Sequence, residues 1–558
     1  MNRTPPSQAS RRRWTPALIM GLAAFALSAA RINHGLVNSP LPAGPGLTTD
    51  ESINIRQGIY LFDAFTQHGP LILLPGKAQE VYSDPGYLAD YVPLGRFLLG
   101  AAHELTAWMI SGAELSIVNV PAARLASSGA LAVTVMLLVM WTGRKYGTPT
   151  AVIAAVLFLL MPRVIGHSRI ASLETLTTLA WFAALIPLLA WWTGERPPTT
   201  RQAIISGIMW GVLMLVKIQA VFLPPVITLY AFAMFGKRAF VPLGTMAVCG
   251  IVVFFCGWPW LWLDPIQNTL SYLASTTDRL SVNNWYLGER FADKDTPWHY
   301  PLVMMATIIP LHTGCCFALR LLQGKWDSTE KLLLLSVLLP LLAFAIPGTP
   351  VYDGIRLFLF VLPAVAIVAA RGLVMLFTED RLPSGQIPAN GQRSLHVLLR
   401  PVVAGICVVL AIDVTATGTQ HGPFAADAWN SAVRLLDSEP DTFEASYWGD
   451  SLNGDFWNQV PEGSTIAVAP VLHGVLLQDM MSMVPIVQQR NIQLVPFYYE
   501  PEQQRGLVLL LHRLADLPPL LRRAPEGSEA VVEVELNRRV LATLVDTSQV
   551  TWPEKPKW

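Results

Sequence analysis

Apolar stretches long enough to cross a bilayer recur along most of the chain, and short polar segments rich in Arg and Lys separate them. A helix crosses the hydrocarbon core of a membrane with about 20 apolar residues. The pattern predicts eleven transmembrane helices, near 14–30, 118–142, 149–166, 172–193, 202–217, 218–235, 239–258, 298–322, 331–347, 354–376 and 397–417. The segment 88–112 is amphipathic instead, so we expect a helix that lies at the membrane interface.

The pattern changes after about residue 418. Strand-like runs at 465–469, 492–497, 531–536 and 540–545 alternate there with helical patterns, and Gly and Pro mark the turns between them. We therefore predict a mostly α fold with two domains. A polytopic transmembrane domain covers residues 1–417, and a small α/β domain covers residues 418–558.

Composition supports a membrane protein. Of the 558 residues, 52% are hydrophobic and 14% are charged, whereas soluble domains carry about 25% charged residues. The formal net charge is zero, so composition gives no electrostatic case for a nucleic-acid partner.

Basic residues at the predicted span ends determine the expected orientation, because cytoplasmic loops carry an excess of Lys and Arg. The cluster 11–13, the pair Arg144 and Lys145, and the pair Lys237 and Arg238 fall on one side of an eleven-span topology. We therefore expect an inner (plasma) membrane protein with a cytoplasmic N-terminus. The loops 31–117 and 259–297 and the C-terminal domain would then be extracytoplasmic. An alternative is that the first apolar run is a cleaved signal peptide.

Ionisable side chains at span ends are costly unless they are paired or functional. Four of them fall on the predicted outer side, Arg169, Glu174, Lys217 and Arg356, and the acidic pair Asp50-Glu51 lies in the first outer loop. Each has a structural alternative. Arg169 could pair with Glu174, Lys217 could extend to the interface, Arg356 could pair with Asp353, and the acidic pair could simply be solvated. Acids and bases that converge on one membrane face favour a reactive site instead.

These residue types suit transfer of a sugar from a lipid phosphate. A carboxylate can accept the proton of an attacking hydroxyl, and cations can neutralise the phosphate as it leaves. A phosphate leaving group needs no general acid, so one base suffices. Attack opposite the phosphate would invert the anomeric carbon.

At these positions the chain resembles the GT-C class of polytopic glycosyltransferases, in particular the protein O-mannosyltransferase and aminoarabinose-transferase superfamily. Five segments carry the resemblance: Asp50-Glu51, Ser168-Arg169 with Leu173 and Glu174, Gly207 through Lys217, Pro297 through Tyr300, and Arg356 through Pro363. Two of them depart from the family pattern, which usually has Asp in place of Glu174 and often has Tyr in place of Leu357.

The resemblance implies a polyprenyl-phosphate donor that carries a monosaccharide, a hexose and most often mannose. It implies that Asp50 is the base, that Glu51 shapes the acceptor site, and that Glu174 forms a secondary acidic site. The donor phosphate would be bound by a set of cationic and polar residues: Arg169, Lys217, His299, Tyr300 and Arg356. For His299, capping of the helix that follows is an equal alternative. The acceptor would be a hydroxyl of a protein Ser or Thr, of a glycolipid or of another molecule.

The resemblance implies no required cofactor and no metal. A divalent cation between Asp50, Glu51 and Glu174 stays open as an alternative, since hard cations favour carboxylates. Two other functions also stay open. A lipid or solute transporter or flippase would move substrate without forming product, and a non-catalytic envelope scaffold would depend on the C-terminal domain rather than on Asp50.

Overall fold

The computed structural model describes residues 8–110, 118–277, 281–377 and 422–550, together with residues 405, 408, 412 and 413. The last range lacks residues 437–441, 445, 471–473, 499–505 and 537. The predicted eleventh span, 397–417, therefore lies almost entirely outside the described residues.

Helices dominate the described residues up to 377. They are α1 (Gln8–Ala29), α2 (Thr49–His68), α3 (Pro75–Tyr82), α4 (Pro93–Thr106), α5 (Val120–Tyr146), α6 (Thr148–Leu159), α7 (Pro162–Ser168), α8 (Leu173–Trp191), α9 (Thr200–Met214), α10 (Leu223–Phe235), α11 (Phe240–Gly257), α12 (Trp260–Leu263), α13 (Pro265–Thr277), α14 (Tyr300–Ile308), α15 (Leu311–Gln323), α16 (Ser328–Phe344) and α17 (Leu362–Phe377).

Four helical stretches among the described residues are long and apolar enough to cross a membrane: Val120–Tyr146, Leu173–Trp191, Ile218–Gly257 and Arg356–Leu376. Two bent helix pairs raise the number to six if each pair forms one span. The stretch Ile218–Gly257 contains α10 and α11, which are separated at Gly236 by a left-handed backbone with φ of 55°. The prediction of a polytopic helical protein is thus confirmed, whereas the number of eleven spans is not.

Two predicted spans are bent rather than straight. The helices α6 and α7, predicted as one span over 149–166, meet at 71°, and α14 and α15, predicted as one span over 298–322, meet at 117°. A proline lies at each bend, Pro162 and Pro310. Proline cannot donate a helical hydrogen bond and disfavours helical backbone in the preceding residue. Met161 and Ile309 accordingly have extended backbone, with ψ of 108° and 129°.

Apolar side chains cover the outer surface of α10 and α11. Leu229, Val241, Val248 and Ile251 are each more than half exposed. An apolar helix surface of this kind is stable against lipid rather than against water. The chain is therefore a multi-pass membrane protein.

The helix α5 carries a group of interacting charged side chains at each of its two ends. Near its start, Arg124 forms an ion pair with Glu51. At its last residue, the Tyr146 hydroxyl donates to Asp327 (3.2 Å) and the ring lies 4.3 Å from the Arg371 guanidinium. A helix rises 1.5 Å per residue, so about 30 Å separate these two groups of side chains. This distance is about the thickness of a hydrocarbon core. We call the end with Arg124 and Glu51 the site end, and the end with Tyr146 the opposite end.

A β-hairpin, β1 (Asn283–Tyr286) and β2 (Glu289–Ala292), connects the helices to the C-terminal part of the chain. Its turn has positive φ at Leu287 and Gly288. The Gly288 N–H donates to the Thr442 carbonyl (3.0 Å), and Arg290 donates to the Ala515 carbonyl (2.7 Å). The hairpin of the predicted second outer loop, 259–297, is therefore docked on the C-terminal part.

The C-terminal part contains a five-stranded mixed sheet with short helices, as the predicted α/β pattern required. Its elements are α18 (Ser431–Leu436), α19 (Gly454–Gln459), β3 (Thr465–Ala469), α20 (Gly474–Met483), α21 (Pro485–Gln489), β4 (Gln493–Pro496), β5 (Leu507–Leu511), β6 (Glu529–Leu536) and β7 (Arg539–Asp546). The strand order is β4-β3-β5-β7-β6. The pairs β4-β3 and β3-β5 are parallel, whereas β5-β7 and β7-β6 are antiparallel.

This part shares its core with the helices at the site end. One continuous hydrophobic cluster contains Leu47, Ile55 and Val120 from the helical part together with Phe456 and Ile466 from the sheet region. Backbone bonds join the same regions, since the Gly46 N–H donates to the Asp450 carbonyl (2.6 Å). The C-terminal part therefore covers the site end and belongs to its packing.

Candidate active site

The helix α2 begins at the site end and carries both acidic residues of the first loop. Thr48 precedes it with extended backbone, and its N–H donates to Glu51 Oε2 (3.0 Å), as in a capping box. Carboxylates are favourable in a first helical turn, where the helix dipole is positive. Successive helical residues point roughly 100° apart. The Asp50 side chain is accordingly 40% exposed, whereas that of Glu51 is fully buried.

Arg356 connects Asp50 to two other carboxylates. It opens a 3-10 turn, Arg356–Val361, that leads into α17. Its Nε donates to Glu174 Oε1 (2.7 Å), its Nη1 donates to Asp353 Oδ2 (3.0 Å), and its Nη2 contacts Asp50 Oδ2. Residues that are far apart in the sequence thus meet in one ionic cluster. The Arg356–Asp353 pair, which the sequence offered as an alternative, is one contact within it.

Lys217 completes the ionic cluster through Glu174. Its Nζ lies 2.7 Å from Glu174 Oε1, the same oxygen that accepts from Arg356. Glu174 lies in the first turn of α8 with only 1% of its side chain exposed. Lys217 follows α9 in extended backbone. We define the ionic cluster as Asp50, Glu174, Lys217, Asp353 and Arg356.

Glu51 points away from the ionic cluster. Arg124 holds its carboxylate with two hydrogen bonds, from Nε to Oε1 (2.7 Å) and from Nη2 to Oε2 (2.8 Å). The Ala171 N–H also donates to Oε1 (2.6 Å). Both side chains are fully buried. Glu51 therefore joins α2, α5 and the turn before α8 into one packed unit.

Arg169 also lies apart from the ionic cluster. Its Nη1 donates to the Gly422 carbonyl (2.7 Å) and its Nη2 donates to the Leu27 carbonyl (3.1 Å). Both acceptors are backbone groups, so the side chain connects the end of α1 to the chain that leads into the C-terminal part.

His299 and Tyr300 lie at the site end but make no hydrogen bond to the side chains of the ionic cluster. His299 Nδ1 is 2.7 Å from the Tyr286 hydroxyl, and the Tyr286 ring also packs against Tyr300 at 5.0 Å. The Tyr300 hydroxyl accepts the Gly354 N–H (2.8 Å). Tyr300 is therefore next to the turn that carries Asp353, whereas His299 is tied to the hairpin.

The sequence did not single out the residues that the C-terminal part contributes. Asp353 Oδ1 accepts from Arg513 Nη1 (3.0 Å), and Asp353 Oδ2 accepts from Trp448 Nε1 (2.7 Å). Burial alone would lower the pKa of Arg513, but Asp353, Asp516 and Glu444 together raise it. Arg513 thus stays charged and holds the carboxylate that orients Arg356.

Two of the missed features have signals in the sequence. Thr48 followed three residues later by Glu51 is a capping-box pattern, which predicts that Glu51 turns back to its own helix end. Arg124 is a charge near the start of a long apolar span, where an unpaired charge is costly. Arg513 has no such signal, because only the fold brings it to Asp353.

The carboxylates of the site end do not surround a common point. Within the described ranges, no group of three or more His, Cys, Asp or Glu side chains is placed to hold a metal ion. Glu51 is committed to Arg124, and Glu174 is committed to Lys217 and Arg356. The arrangement proposed as an alternative, a cation between Asp50, Glu51 and Glu174, is therefore not formed.

The fold and the ionic cluster together define a multi-pass membrane protein with a polar, carboxylate- and cation-lined site at one end of its helices. A family model described as dolichyl-phosphate-mannose-protein mannosyltransferase matches residues 105–262. This range includes Arg169, Glu174 and Lys217 but begins after Asp50. No curated protein matches the chain in sequence.

A solved structure extends the likeness over most of the chain. ArnT from Cupriavidus metallidurans, bound to undecaprenyl phosphate, is 14% identical, with 95% of this chain and 97% of ArnT covered and a TM-score of 0.50. The oligosaccharyltransferase of Archaeoglobus fulgidus is 12% identical, with 89% of this chain and 67% of that chain covered and a TM-score of 0.42. The family-model match and the fold shared with ArnT confirm the resemblance to the GT-C class.

Proposed function

We propose that the protein is an integral-membrane glycosyltransferase. It moves a monosaccharide, a hexose such as mannose, from a polyprenyl-phosphate donor to a hydroxyl acceptor, with inversion at the anomeric carbon. The donor class is supported by the undecaprenyl phosphate bound to ArnT, and the hexose by the description of the matching family model.

The convergence of Asp50, Glu174, Lys217 and Arg356 is the observation that carries the proposal. They come from the start of α2, the start of α8, the end of α9 and the turn before α17. The cluster combines one half-exposed carboxylate with two cations beside a buried carboxylate. Such cations can stabilise the negative charge that develops on the departing phosphate. Such a carboxylate can accept the proton of the attacking hydroxyl.

Exchange of one contact would link donor binding to activation of the base. Arg356 holds buried Glu174 through Nε and buried Asp353 through Nη1, whereas its Nη2 contacts the half-exposed Asp50. The donor phosphate would replace Asp50 at Nη2, since the other two contacts are closed to solvent. Asp50 would then be free to take the proton from the acceptor hydroxyl.

The proposed location is the inner (plasma) membrane, with the site end extracytoplasmic. Ser28, near the end of α1, lies at the site end, where its hydroxyl bonds to Ser128 (2.8 Å). The start of α1, with the basic residues 11–13, then belongs to the opposite end. Arg144, Lys145 and Arg371 also lie towards that end. This distribution fits the excess of positive charge in cytoplasmic segments.

Reconstituted protein in liposomes tests the proposal directly. The donor is a polyprenyl-phosphate mannose with a labelled sugar, and the acceptor is an envelope extract from cells that lack the protein. We expect label to move to an acceptor, and Asp50→Asn to lower kcat by about 100-fold or more. Lys217→Gln should raise KM for the donor by about 10-fold, because it removes a charged contact to the phosphate.

Asp63→Asn is the matched control for Asp50→Asn, because Asp63 lies on α2 outside the ionic cluster. The control should transfer at the wild-type rate. Transfer by Asp50→Asn at the rate of the control would refute the proposed base. Label that crosses the bilayer without forming product would favour a transporter instead.

A further inference from the structure

Two buried carboxylates hold Arg356, and each of them is also paired with a second cation. Glu174 Oε1 lies 2.7 Å from Arg356 Nε and 2.7 Å from Lys217 Nζ. Asp353 Oδ2 accepts from Arg356 Nη1 and Asp353 Oδ1 accepts from Arg513 Nη1, at 3.0 Å in both cases. Arg513, which belongs to the C-terminal part, therefore neutralises one of these carboxylates as Lys217 neutralises the other.

The guanidinium of Arg513 is fixed beside Asp353 by several contacts. Arg513 follows β5 and is buried. Its Nε donates to Asp516 Oδ2 (2.7 Å), and its Nη2 donates to the Asn283 carbonyl (3.2 Å). The guanidinium lies over the Trp448 ring at 3.6 Å, and the same indole donates to Asp353 Oδ2 (2.7 Å). The hairpin and the C-terminal part thus meet around this one carboxylate.

The backbone of Asp353 is also held in place by its neighbours. Its φ is 55°, in the left-handed region that residues other than glycine rarely adopt. Such a backbone is costly and persists where the surrounding structure holds it. The Asp353 N–H donates to Asn284 Oδ1 (3.2 Å), and the Gly354 N–H donates to the Tyr300 hydroxyl (2.8 Å). The turn that places the carboxylate is therefore held by the hairpin, by α14 and by the C-terminal part.

The second cation at Asp353 affects how Arg356 can act on an anion. Without it, Arg356 alone would balance the charge of Asp353. A buried carboxylate that is poorly balanced repels an incoming phosphate, and this repulsion is strong where solvent screens little. With Arg513 present, the positive charge of Arg356 remains available at Nη2, which now contacts the half-exposed Asp50.

We propose that Arg513 is a positioning residue for the donor phosphate, because it neutralises Asp353 and so lets Arg356 exchange Asp50 for the phosphate. The inference deepens the proposed function and rests on it for the lipid-phosphate donor. Arg513 acts through Asp353, since its three nitrogens already donate to Asp353, Asp516 and the Asn283 carbonyl. The C-terminal part is then a component of the donor site.

Binding of two lipids that differ only in the phosphate tests the proposal without any transfer. The probes are undecaprenyl phosphate and the neutral undecaprenol, and the full-length protein is measured in detergent micelles. Arg513→Gln should weaken binding of undecaprenyl phosphate by about 10-fold, because it removes one charged interaction. Undecaprenol should bind the variant as it binds the wild type. An equal loss for both lipids, or no loss for the phosphate, would overturn the proposal.

A second substitution separates charge balance from general damage. Asp353→Asn combined with Arg513→Gln removes the carboxylate together with its cation, while the amide oxygen can still accept from Arg356. The double variant should bind undecaprenyl phosphate more tightly than Arg513→Gln alone, since no unbalanced buried charge remains. Arg513→Lys, which keeps the charge, should lose less affinity than Arg513→Gln. A double variant that binds no better than Arg513→Gln would refute the assignment.

Arg320→Gln is the matched control. Arg320 is also buried and pairs with a carboxylate, Glu330 (2.7 Å), which in turn contacts Arg371 at the opposite end. The control should bind undecaprenyl phosphate as the wild type does, although its stability falls. A loss of affinity equal to that in Arg513→Gln would mean that general destabilisation explains both results, and it would overturn the proposal.

Transfer kinetics keep the failure of this inference distinct from that of the proposed function. In Arg513→Gln the donor KM should rise by about 10-fold while the acceptor KM stays unchanged. Suppose that the phosphate lipid shows the expected loss in Arg513→Gln but the wild type forms no product. This result would refute the glycosyltransferase and leave the role of Arg513 intact. Wild-type transfer with an unchanged donor KM in Arg513→Gln would refute the role of Arg513 alone.

Discussion

Replacing Glu51 by Gln should destabilise the fold rather than remove a catalytic group. The change leaves the Arg124 guanidinium fully buried without its counter-charge. Breaking a buried ion pair by removing one partner costs about 3–5 kcal/mol, mainly because the remaining charge is uncompensated. The Arg124 bonds to the carbonyls of Pro45 (2.8 Å) and Gly46 (2.7 Å) remain. They offset part of the loss, so the lower end of this range is expected.

Asp50→Asn is the matched comparison, because it changes the adjacent residue in the same helical turn. Asp50 is 40% exposed. The loss of its favourable position at the helix start costs about 0.3–1 kcal/mol. The free energy of unfolding, measured by denaturant titration in detergent, should therefore fall by about 3 kcal/mol in Glu51→Gln. Asp50→Asn should fall by less than about 1 kcal/mol. Activity should show the opposite order when it is corrected for the folded fraction.

A double variant separates a structural ion pair from a catalytic carboxylate. Glu51→Gln combined with Arg124→Met removes both charges, and such replacements are often neutral or stabilising. The double variant should therefore be more stable than Glu51→Gln alone. Equal stability of Glu51→Gln and Asp50→Asn, or a double variant no more stable than Glu51→Gln, would refute the structural role. Folded Glu51→Gln without activity would restore the catalytic role that the sequence suggested.

Two further predictions concern the contact of the C-terminal part with the helices. Gly166→Ala should destabilise the fold by about 1–3 kcal/mol in thermal unfolding, because its Cβ would lie 2.3 Å from the Ala426 nitrogen. The control Gly129→Ala should leave stability unchanged, since a Cβ there would meet nothing within 4 Å. Burial raises the pKa of Asp450 to about 7 from 3.8. The folded state then binds more protons between these values, so stability should fall as pH rises from about 4 to 7, and the dependence should weaken in Asp450→Asn.

The residues of the ionic cluster could be selected from the sequence because their types and positions were unusual. Glu174, Lys217 and Arg356 stand at the ends of apolar spans, where an ionisable group is costly. The sidedness of the spans then predicted that they share one membrane face. Arg169 met the same criteria, yet it bonds to backbone carbonyls, because span sidedness fixes the end of a helix and not the direction of a side chain.

The sheet illustrates the same limit at the level of secondary structure. The run 465–469 was predicted from its pattern and coincides with β3. The central strand β5 was missed. This strand, Leu507–Leu511, lies between β3 and β7 and is buried on both faces, so its sequence is apolar throughout. A short run without alternation cannot be told from a buried helix by periodicity.

The sequence by itself determined that the chain is a helical membrane protein, which ionisable residues stand at the ends of its apolar spans, and which residue types are available for chemistry. These properties are local, since they follow from the cost of placing each side chain in lipid or in water. Only the tertiary structure decided that Glu51 pairs with Arg124 and that Asp50 meets Arg356. It also decided that the C-terminal part holds Asp353 through Arg513 and Trp448. Such contacts join residues between 73 and 306 positions apart. They depend on how the helices pack and where prolines bend them, which no local pattern records.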